Sequence, residues 1–189
     1  MSGTLRESHR LIPAGRNHAN SCLFRMKKIS IRDAEDDDFA AIVELNVHEV
    51  QHTSPMDLER LRYLNSISNY HKVATVDDEV AAFLLAMKDH CGYINENYEW
   101  FAERYPRFLY VDRIVVSSKF QKLRLGSLLY NDMFQQARAN QIQVVTCEYN
   151  IVPPNEPSRS FHDKFGFREI GTQWIVNGAK QVSLQAAEI

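Results

Sequence analysis

The sequence predicts an α/β fold in which helices cover a mixed, mostly antiparallel sheet. Two observations lead to this prediction. First, segments with apolar residues at every second position, as in strands, alternate with segments whose apolar residues recur at helical spacing. Second, the 189 residues are 44% hydrophobic and 24% charged, which fits one globular domain with a continuous core. The predicted element order is β-α-α-β-β-β-α-β-α-β-β, and the domain is expected to span residues 26–189.

Each strand is predicted from an alternating or continuous run of apolar residues with turn residues at its ends. In chain order they are residues 29–31, 71–76, 80–87, 108–116, 144–149, 167–176 and 181–186. The second and third strands form a hairpin around Asp77-Asp78, and the last two form one around Asn177-Gly178.

The helices are predicted from apolar residues three and four apart and from the residues at their ends. Acids at 33–38 precede the first helix, where the helix dipole favours negative charge. Asn155 is placed to cap the last helix and Gly166 to end it. The predicted helices are residues 39–47, 58–64, 126–139 and 155–165. Residues 89–106, rich in aromatic residues and glutamates, indicate a partly helical flap.

The composition argues against several classes of protein. The formal net charge of −2 gives no global attraction to nucleic acid or to an anionic membrane. No apolar run approaches the roughly 20 residues that a membrane-spanning helix needs. The three cysteines are widely spaced and the seven histidines are scattered, so neither a disulfide framework nor a metal site is expected. These observations favour a cytoplasmic protein that contacts neither nucleic acid nor membrane.

Residues 1–25 differ from the rest of the chain. They carry four arginines against a single acid and show no apolar period, so we expect no folded structure there. They are either an extension upstream of a natural start at Met26 or an Arg-rich organellar targeting segment.

A basic loop joins the strongest predicted strand to the long helix after it. The first amides of a helix have no internal partner and lie at the positive end of its dipole, so a phosphate binds well there. Lys122 and Arg124 would add positive charge. The loop therefore suggests an anion site, although an ordinary turn with solvated basic residues has the same outline.

Two motifs resemble the GNAT superfamily of N-acetyltransferases. Gln121-x-x-Arg124-x-Gly126 resembles its pyrophosphate loop, Gln/Arg-x-x-Gly-x-Gly/Ala, with Arg124 in place of the first glycine. A non-glycine residue pays about 1 kcal/mol or more for positive φ. The second motif, from Asn155 to Phe167, resembles the family run Asn-x-x-Ala-x-x-Leu-Tyr-x-Lys-x-Gly-Phe. The order of the elements also matches that fold.

The resemblance implies that acetyl-CoA binds as co-substrate, with no metal. In the family the fourth and fifth strands splay apart, and pantetheine pairs beside the fourth like an additional strand. The residues expected at the cofactor are Ile114, Val115, Val116, Gln121, Lys122, Leu123, Arg124, Leu125, Gly126, Ser127, Asn155, Ser158 and Phe161.

The resemblance also suggests which residues act on the proton. His162 stands where the family has the tyrosine that protonates the departing thiolate, and an imidazole N–H can donate there too. As the base that deprotonates the amine we expect Asp112 first and then Glu148. Alternation places Asp112 on one strand face with Tyr110, Ile114 and Val116. Each acid could instead be a structural partner of an arginine, Arg113 or Arg168.

The acceptor side of the site carries weaker signals. Tyr110 is expected to contact the amine, and Tyr98, Glu99 and Trp100 of the flap to close over a cationic group. A flap helix that packs its aromatic residues on the sheet is the alternative. The acceptor stays open among small-molecule and peptide amines. A non-catalytic CoA-binding or ligand-sensing domain is the competing function, and C-terminal edge strands could pair in a homodimer.

Overall fold

The computed structural model describes residues 27–48 and 53–189. The strands are β1 (Ile29–Asp33), β2 (Tyr70–Val76), β3 (Glu79–Lys88), β4 (Leu109–Val116), β5 (Val144–Val152), β6 (Arg168–Ile175) and β7 (Lys180–Glu188). The α-helices are α1 (Phe39–His48), α2 (Leu58–Ile67), α3 (Glu96–Ala102), α4 (Leu125–Ala139) and α5 (Glu156–Asp163). Short 3-10 helices, Asp36–Asp38 and Ser118–Leu123, precede α1 and α4.

The seven strands form one sheet in the order β1-β2-β3-β4-β5-β7-β6. Every neighbouring pair is antiparallel except β4 and β5, which are parallel. The predicted fold class is therefore confirmed. Besides the two 3-10 helices, the additional element among the described residues is α3, which lies inside the segment predicted as a partly helical flap. The prediction for residues 1–25 lies outside the described residues.

Two cores cover the two faces of the sheet. On one face α4 buries the apolar stripe that predicted it, including Leu129, Tyr130 and Met133. On the other face α1, α2 and α3 bury residues such as Phe39, Leu61 and Phe101. No helix in the part of the chain described here is both long and apolar enough to cross a membrane.

The parallel strands β4 and β5 separate soon after they meet. Their ladder contains two residue pairs, Leu109 with Val145 and Tyr110 with Thr146. Beyond Tyr110 the β4 edge that faces β5 has no ladder partner among the described strands. The predicted splay is thus present, and it opens a wedge in the middle of the sheet.

A β-bulge interrupts β4 next to this wedge. Leu85 of β3 faces Arg113, whereas the following Ala86 faces Val111, so Asp112 is one residue in excess. A sequence pattern of simple alternation gives no sign of this insertion.

The bulge makes one prediction wrong. Ile114 and Val116 pack against the α4 core, whereas Tyr110 lies in the core beneath α1, α2 and α3. Because the additional residue at Asp112 shifts the alternation by half a period, these side chains do not share a face. Val115, on the Tyr110 side, is buried away from the α4 face.

The C-terminal edge of the sheet is β6 rather than the last strand, because β7 lies between β5 and β6. Trp174 and Ile170 on β6 are partly exposed. A homodimer through a C-terminal edge strand, which stays a prediction, would therefore use β6.

Candidate active site

A cavity of about 300 Å³ lies between β4 and the helices α4 and α5. Its wall combines apolar side chains with the polar ends of two helices. The lining residues are Thr53, Ile114, Val116, Gln121, Gly126, Asn155, Pro157, Ser158, Phe161 and His162. Seven of the residues predicted at the cofactor therefore lie together here, namely Ile114, Val116, Gln121, Gly126, Asn155, Ser158 and Phe161.

Local structure fixes the two ends of this cavity. The side chain of Asn155 caps α5 by accepting a hydrogen bond from the Ser158 amide at 3.1 Å, which sets the first turn beside the cavity. The 15-residue α4 begins at Leu125 without a side-chain cap, so its first amides can bind an anion.

The other residues predicted at the cofactor do not line the cavity with their side chains. Val115 is in the opposite core because of the bulge, and Leu125, the first residue of α4, is fully buried. Lys122 and Arg124 extend into solvent, while Leu123 and Ser127 are half-buried. These six residues can contribute backbone amides or long-range charge, and their contact with the cofactor stays a prediction.

Arg124 adopts the left-handed conformation, with φ 57° and ψ 28°. The backbone therefore has the positive φ that the glycine of the family motif would provide without strain. This turn ends the 3-10 helix and begins α4, so Arg124 shapes the approach to the helix N-terminus.

The cavity fits a molecule with an extended chain and phosphates. The separated edge of β4 offers backbone groups along one wall, and the amides of α4 lie at the end. A Cβ at Gly126 would lie 3.4 Å from the Phe161 ring and 3.5 Å from Val116, so any side chain there would narrow the passage. Pantetheine and pyrophosphate would thus contact Ile114, Val116 and the residues around Gly126.

A second cavity, of about 210 Å³, opens in the wedge between β4 and β5. It brings together the three residues predicted to act on the proton, Asp112, Glu148 and His162. Five residues line both cavities and mark the junction between them: Thr53, Ile114, Asn155, Ser158 and His162. The remaining wall comes from the flap, the loop before α2, β5 and the β6–β7 hairpin.

Glu148 presents one unpaired carboxylate oxygen at this wedge. The Tyr110 hydroxyl donates to Oε1 at 2.9 Å, whereas Oε2 is shielded from solvent and has no partner of good hydrogen-bond geometry among the described residues, although the Asn97 side chain is near enough to lower the pKa of Glu148. Burial raises the pKa of Glu148 to about 8, the charge of Asp112 adds to the rise, and the Tyr110 hydrogen bond opposes it.

Asp112 uses both of its oxygens to hold the structure together. The Tyr93 hydroxyl donates to Oδ1, and Arg113 Nε donates to Oδ2 at 2.6 Å. Arg113 continues to Asn46 Oδ1 at 2.9 Å and to the carbonyl of Ser54 at 3.1 Å. Both side chains of the ion pair are 4% exposed. Asp112 therefore links the bulge to α1 and to the loop before α2, and Arg113 is its structural partner.

His162 has no N–H directed at either cavity. Its Nδ1 lies 2.8 Å from the carbonyl oxygen of Ser158, which can only accept, so Nδ1 carries the hydrogen. Nε2 then accepts from the Tyr130 hydroxyl at 2.8 Å. Burial lowers the pKa of His162 to about 4, which keeps the ring neutral. Direct protonation of a thiolate by His162 does not fit this arrangement.

The flap contributes different residues from those predicted. Tyr98 is buried and donates to the carbonyl of Lys88 at 2.8 Å, and Trp100 packs under the Arg104 guanidinium, 3.6 Å from its ring centroid. Glu99 is exposed. None of the three predicted flap contacts lines the second cavity, called the acceptor cavity below, because the aromatic residues pack on the sheet.

The start of α3 lines the cavity instead. Asn95 caps this helix by accepting from the amides of Asn97 at 2.9 Å and Tyr98 at 3.0 Å, and Asn95, Glu96 and Asn97 lie in the cavity wall. Tyr110 is fully buried and reaches the site only through Glu148.

Several residues of the wall were missed in the sequence, and all but one of them had no signal there. They are Thr53, Ser54, Asn95, Asn97, Asn150, Ile175, Val176, Lys180 and Val182. The exception is Asn150, which lies two positions after Glu148 and could have been found by strand alternation. Cys147 also lines the cavity, but burial raises the pKa of its thiol well above the ordinary value, so it stays protonated.

The part of the chain described here contains no cluster of three or more histidine, cysteine, aspartate or glutamate side chains arranged to hold a metal ion.

Comparison with known proteins agrees with this geometry. Ard1 from Thermoplasma volcanium superposes with a TM-score of 0.70 at 15% identity, over 85% of this chain and 97% of its own. yncA from Salmonella typhimurium, solved with its cofactor acetyl-CoA, superposes with a TM-score of 0.64 at 18% identity. The match covers 85% of this chain and 93% of yncA. Arabidopsis thaliana Naa50, in complex with the bisubstrate analogue CoA-Ac-MVNAL, superposes with a TM-score of 0.66 at 14% identity. The match covers 85% of this chain and 99% of Naa50. At these identities the likeness concerns the fold.

No curated protein sequence matches the chain significantly. The family model described as "Acetyltransferase (GNAT) family" matches residues 30–167, from β1 to the end of the second motif. This match covers well over half of the chain and includes both the wedge between β4 and β5 and the N-terminus of α4. The chain therefore belongs to the acetyltransferase (GNAT) family.

Proposed function

We propose that this protein is an N-acetyltransferase that transfers the acetyl group of acetyl-CoA directly to a primary amine, with Glu148 as the general base. The observation that carries the proposal is the unpaired Oε2 of Glu148 in the wedge beside the cofactor cavity. The structures of yncA with acetyl-CoA and of Naa50 with a CoA–peptide analogue support the choice of acyl donor.

Bound acetyl-CoA would supply an acyl thioester at the junction of the two cavities. The separated edge of β4 at Ile114 and Val116 would pair with the pantetheine arm, and the first amides of α4 would hold the pyrophosphate. Gly126 leaves the passage open between these two sites. The amine would enter from the acceptor cavity and attack within the ternary complex, so no covalent enzyme intermediate is needed.

Glu148 would take the proton from the attacking amine, directly or through a water molecule. Tyr110 holds Oε1, so Oε2 would be the oxygen that accepts the proton. A base with a pKa of about 8 is well matched to proton transfer from an amine near neutral pH. We prefer Glu148 to Asp112 because Asp112 already accepts from Tyr93 and Arg113.

Ser158 is the proposed hydrogen-bond donor to the departing thiolate. It lines both cavities, and its hydroxyl lies 3.2 Å from Nδ1 of His162. His162 would act as a positioning residue, because its bonds to Tyr130 and to the Ser158 carbonyl fix the first turn of α5.

The test is thiol release from acetyl-CoA with a panel of amines: a dipeptide, a lysine side chain, a polyamine and an amino acid amide. We expect turnover with one class, lowered about 100-fold in kcat by Glu148→Gln. Glu96→Gln is the matched control, because it neutralises another carboxylate in the same cavity wall. Equal kcat in Glu148→Gln and wild type would reject the base assignment. Binding of acetyl-CoA without thiol release for any amine would favour the non-catalytic, ligand-sensing function.

A further inference from the structure

Three buried polar groups lie in a row on one face of β5. Thr146, Glu148 and Asn150 occupy alternate positions of the strand, so their side chains point the same way. Across the ladder they face Ala186, Leu184 and Val182 of β7. Each has one shielded atom without a hydrogen-bond partner among the described residues: Thr146 Oγ1, Glu148 Oε2 and Asn150 Nδ2.

Two members of this row line the acceptor cavity. Glu148 and Asn150 lie in its wall, whereas Thr146 is fully buried and does not reach it. Asn150 is 6% exposed, so water has little access to its amide. An unpaired buried N–H donor destabilises the folded state, and one that borders a cavity suggests a group that it serves there.

The position of Asn150 indicates that this group belongs to the acceptor and not to the cofactor. The residues that line both cavities, including Ser158 and His162, mark where the thioester is expected. Glu148 and Asn150 line the acceptor cavity and not the cofactor cavity, and Asn150 also lines a third cavity, of about 480 Å³, beside α5. The acceptor cavity is the one that Asn150 shares with Glu148, so a group that Asn150 binds there lies beside the amine.

We infer that the Asn150 side chain donates a hydrogen bond to a carbonyl oxygen of the acceptor, and that the acceptor is an α-amino carbonyl compound. Residues two apart on a strand are separated by about 7 Å. An amine nitrogen and a carbonyl oxygen joined through two carbon atoms fit between them, with a hydrogen bond at each end. Glu148 then receives the amine proton while Asn150 recognises the adjacent carbonyl.

This inference rests on the proposed function, and the experiment separates the two. The acceptors are phenylalaninamide and 2-phenylethylamine, which differ only in the carboxamide. Asn150→Leu removes the donor and keeps a side chain that branches at Cγ, and Asn150→Ala is the second variant if the larger leucine folds poorly. Thr146→Val is the matched control, because it removes an unpaired polar atom of the same row outside the cavity.

We expect Asn150→Leu to lower kcat/KM for phenylalaninamide about 30-fold and to change that for 2-phenylethylamine less than about 3-fold. Thr146→Val should leave the ratio of the two unchanged. Free phenylalanine and a peptide that begins with phenylalanine serve as further acceptors, and the better of them shows whether a metabolite or a polypeptide N-terminus is the source of the carbonyl.

An equal loss for both acceptors in Asn150→Leu would overturn the inference, because Asn150 would then act on the thioester or on the fold. If wild type turned over no amine, the proposed function would fail on its own. Titration of phenylalaninamide into the protein with CoA would still decide the role of Asn150: weaker binding by Asn150→Leu would support it, and equal or absent binding would refute it.

Discussion

The Tyr130 hydroxyl and Nε2 of His162 form a hydrogen bond of 2.8 Å between α4 and α5, and both side chains are buried. The histidine that replaces the family's tyrosine is thus held in place by a tyrosine from another helix. Their pairing joins the two helices that flank the cofactor cavity, and it supports predictions about stability.

Replacing one partner should cost more than replacing both. His162→Phe leaves the Tyr130 hydroxyl buried without its acceptor, and we expect a loss of about 1–3 kcal/mol in the free energy of unfolding. The double variant His162→Phe/Tyr130→Phe removes the stranded hydroxyl and should recover part of that loss. Urea denaturation of the wild type, the two single variants and the double variant gives the coupling energy. Additive effects would contradict the pairing.

Burial of His162 also makes stability depend on pH. The pKa is about 4 in the folded chain and near 6.5 when unfolded, so the unfolded chain binds the proton first as pH falls. The stabilisation is complete above pH 6.5 and is lost between 6.5 and 4, in total about 3 kcal/mol. His71 has a pKa lowered to about 4 by burial and contributes with the same sign. Between pH 7.5 and pH 5, His162→Phe should therefore lose less of its free energy of unfolding than wild type does. Some loss remains because His71 still contributes. Denaturation at the two pH values measures the difference.

Glu148 should show the opposite pH dependence. Because its pKa is raised to about 8, its contribution to stability is present below pH 4.5 and is lost as pH rises through 8. Glu148→Gln should therefore raise the melting temperature at pH 9 relative to wild type, with a smaller difference at pH 5. In wild type, kcat/KM should increase with pH and level off above about 8. A variant that is less stable at pH 9 would show that the carboxylate is not strained by burial.

Arg124→Gly should stabilise the chain. Relief of the left-handed strain at φ 57° contributes about 1 kcal/mol, reduced by the greater freedom of glycine when unfolded. Lys122→Gly is the matched control, since Lys122 is also exposed and basic but does not have positive φ. That control should be destabilising in the same thermal denaturation. Titration with acetyl-CoA then tells whether the Arg124 side chain contributes to phosphate binding, since its loss would weaken the affinity.

Gly126→Ala should separate stability from cofactor binding. The new Cβ would lie 3.4 Å from the Phe161 ring, a contact the fold tolerates, and alanine suits a helix better than glycine by about 0.5–1 kcal/mol. The same methyl narrows the cofactor cavity, so we expect acetyl-CoA affinity to fall about 10-fold. Calorimetry beside thermal denaturation checks both. Undiminished affinity would place the cofactor away from Gly126.

The fold was predictable because it depends on repeated, local patterns. The alternation in the strands and the apolar stripe of α4 repeat over many residues. The caps at Asn155 and Gly166 are local signals next to the helix that they bound. The structure confirms the order of elements. The loop before α4 was predictable for the same reason, since the helix N-terminus and its basic flank are adjacent in sequence, and its contact with the cofactor stays a prediction.

The proton-handling groups were harder to predict because their roles depend on contacts between distant segments. Asp112 is held by Tyr93 and Arg113, and His162 by Tyr130, which are partners that spacing does not reveal. Residue type and strand position alone favoured Asp112 as the base. What distinguishes Glu148 from Asp112 is the set of residues that surrounds each carboxylate.

The additional residue at Asp112 divides β4 into two segments whose side chains alternate in opposite phase. Downstream, Ile114 and Val116 line the cavity proposed for the acyl donor, and upstream, the Tyr110 hydroxyl donates a hydrogen bond to Glu148, the proposed base. Deletion of one residue at the bulge would turn one segment by half a period and direct Leu109 or Val111 toward Glu148 in place of the phenol. The bulge separates these two segments of β4. Substitutions near Tyr110 that change the acceptor therefore need not disturb Ile114 and Val116, where acetyl-CoA is proposed to bind. A single strand can in this way keep one co-substrate while the other changes.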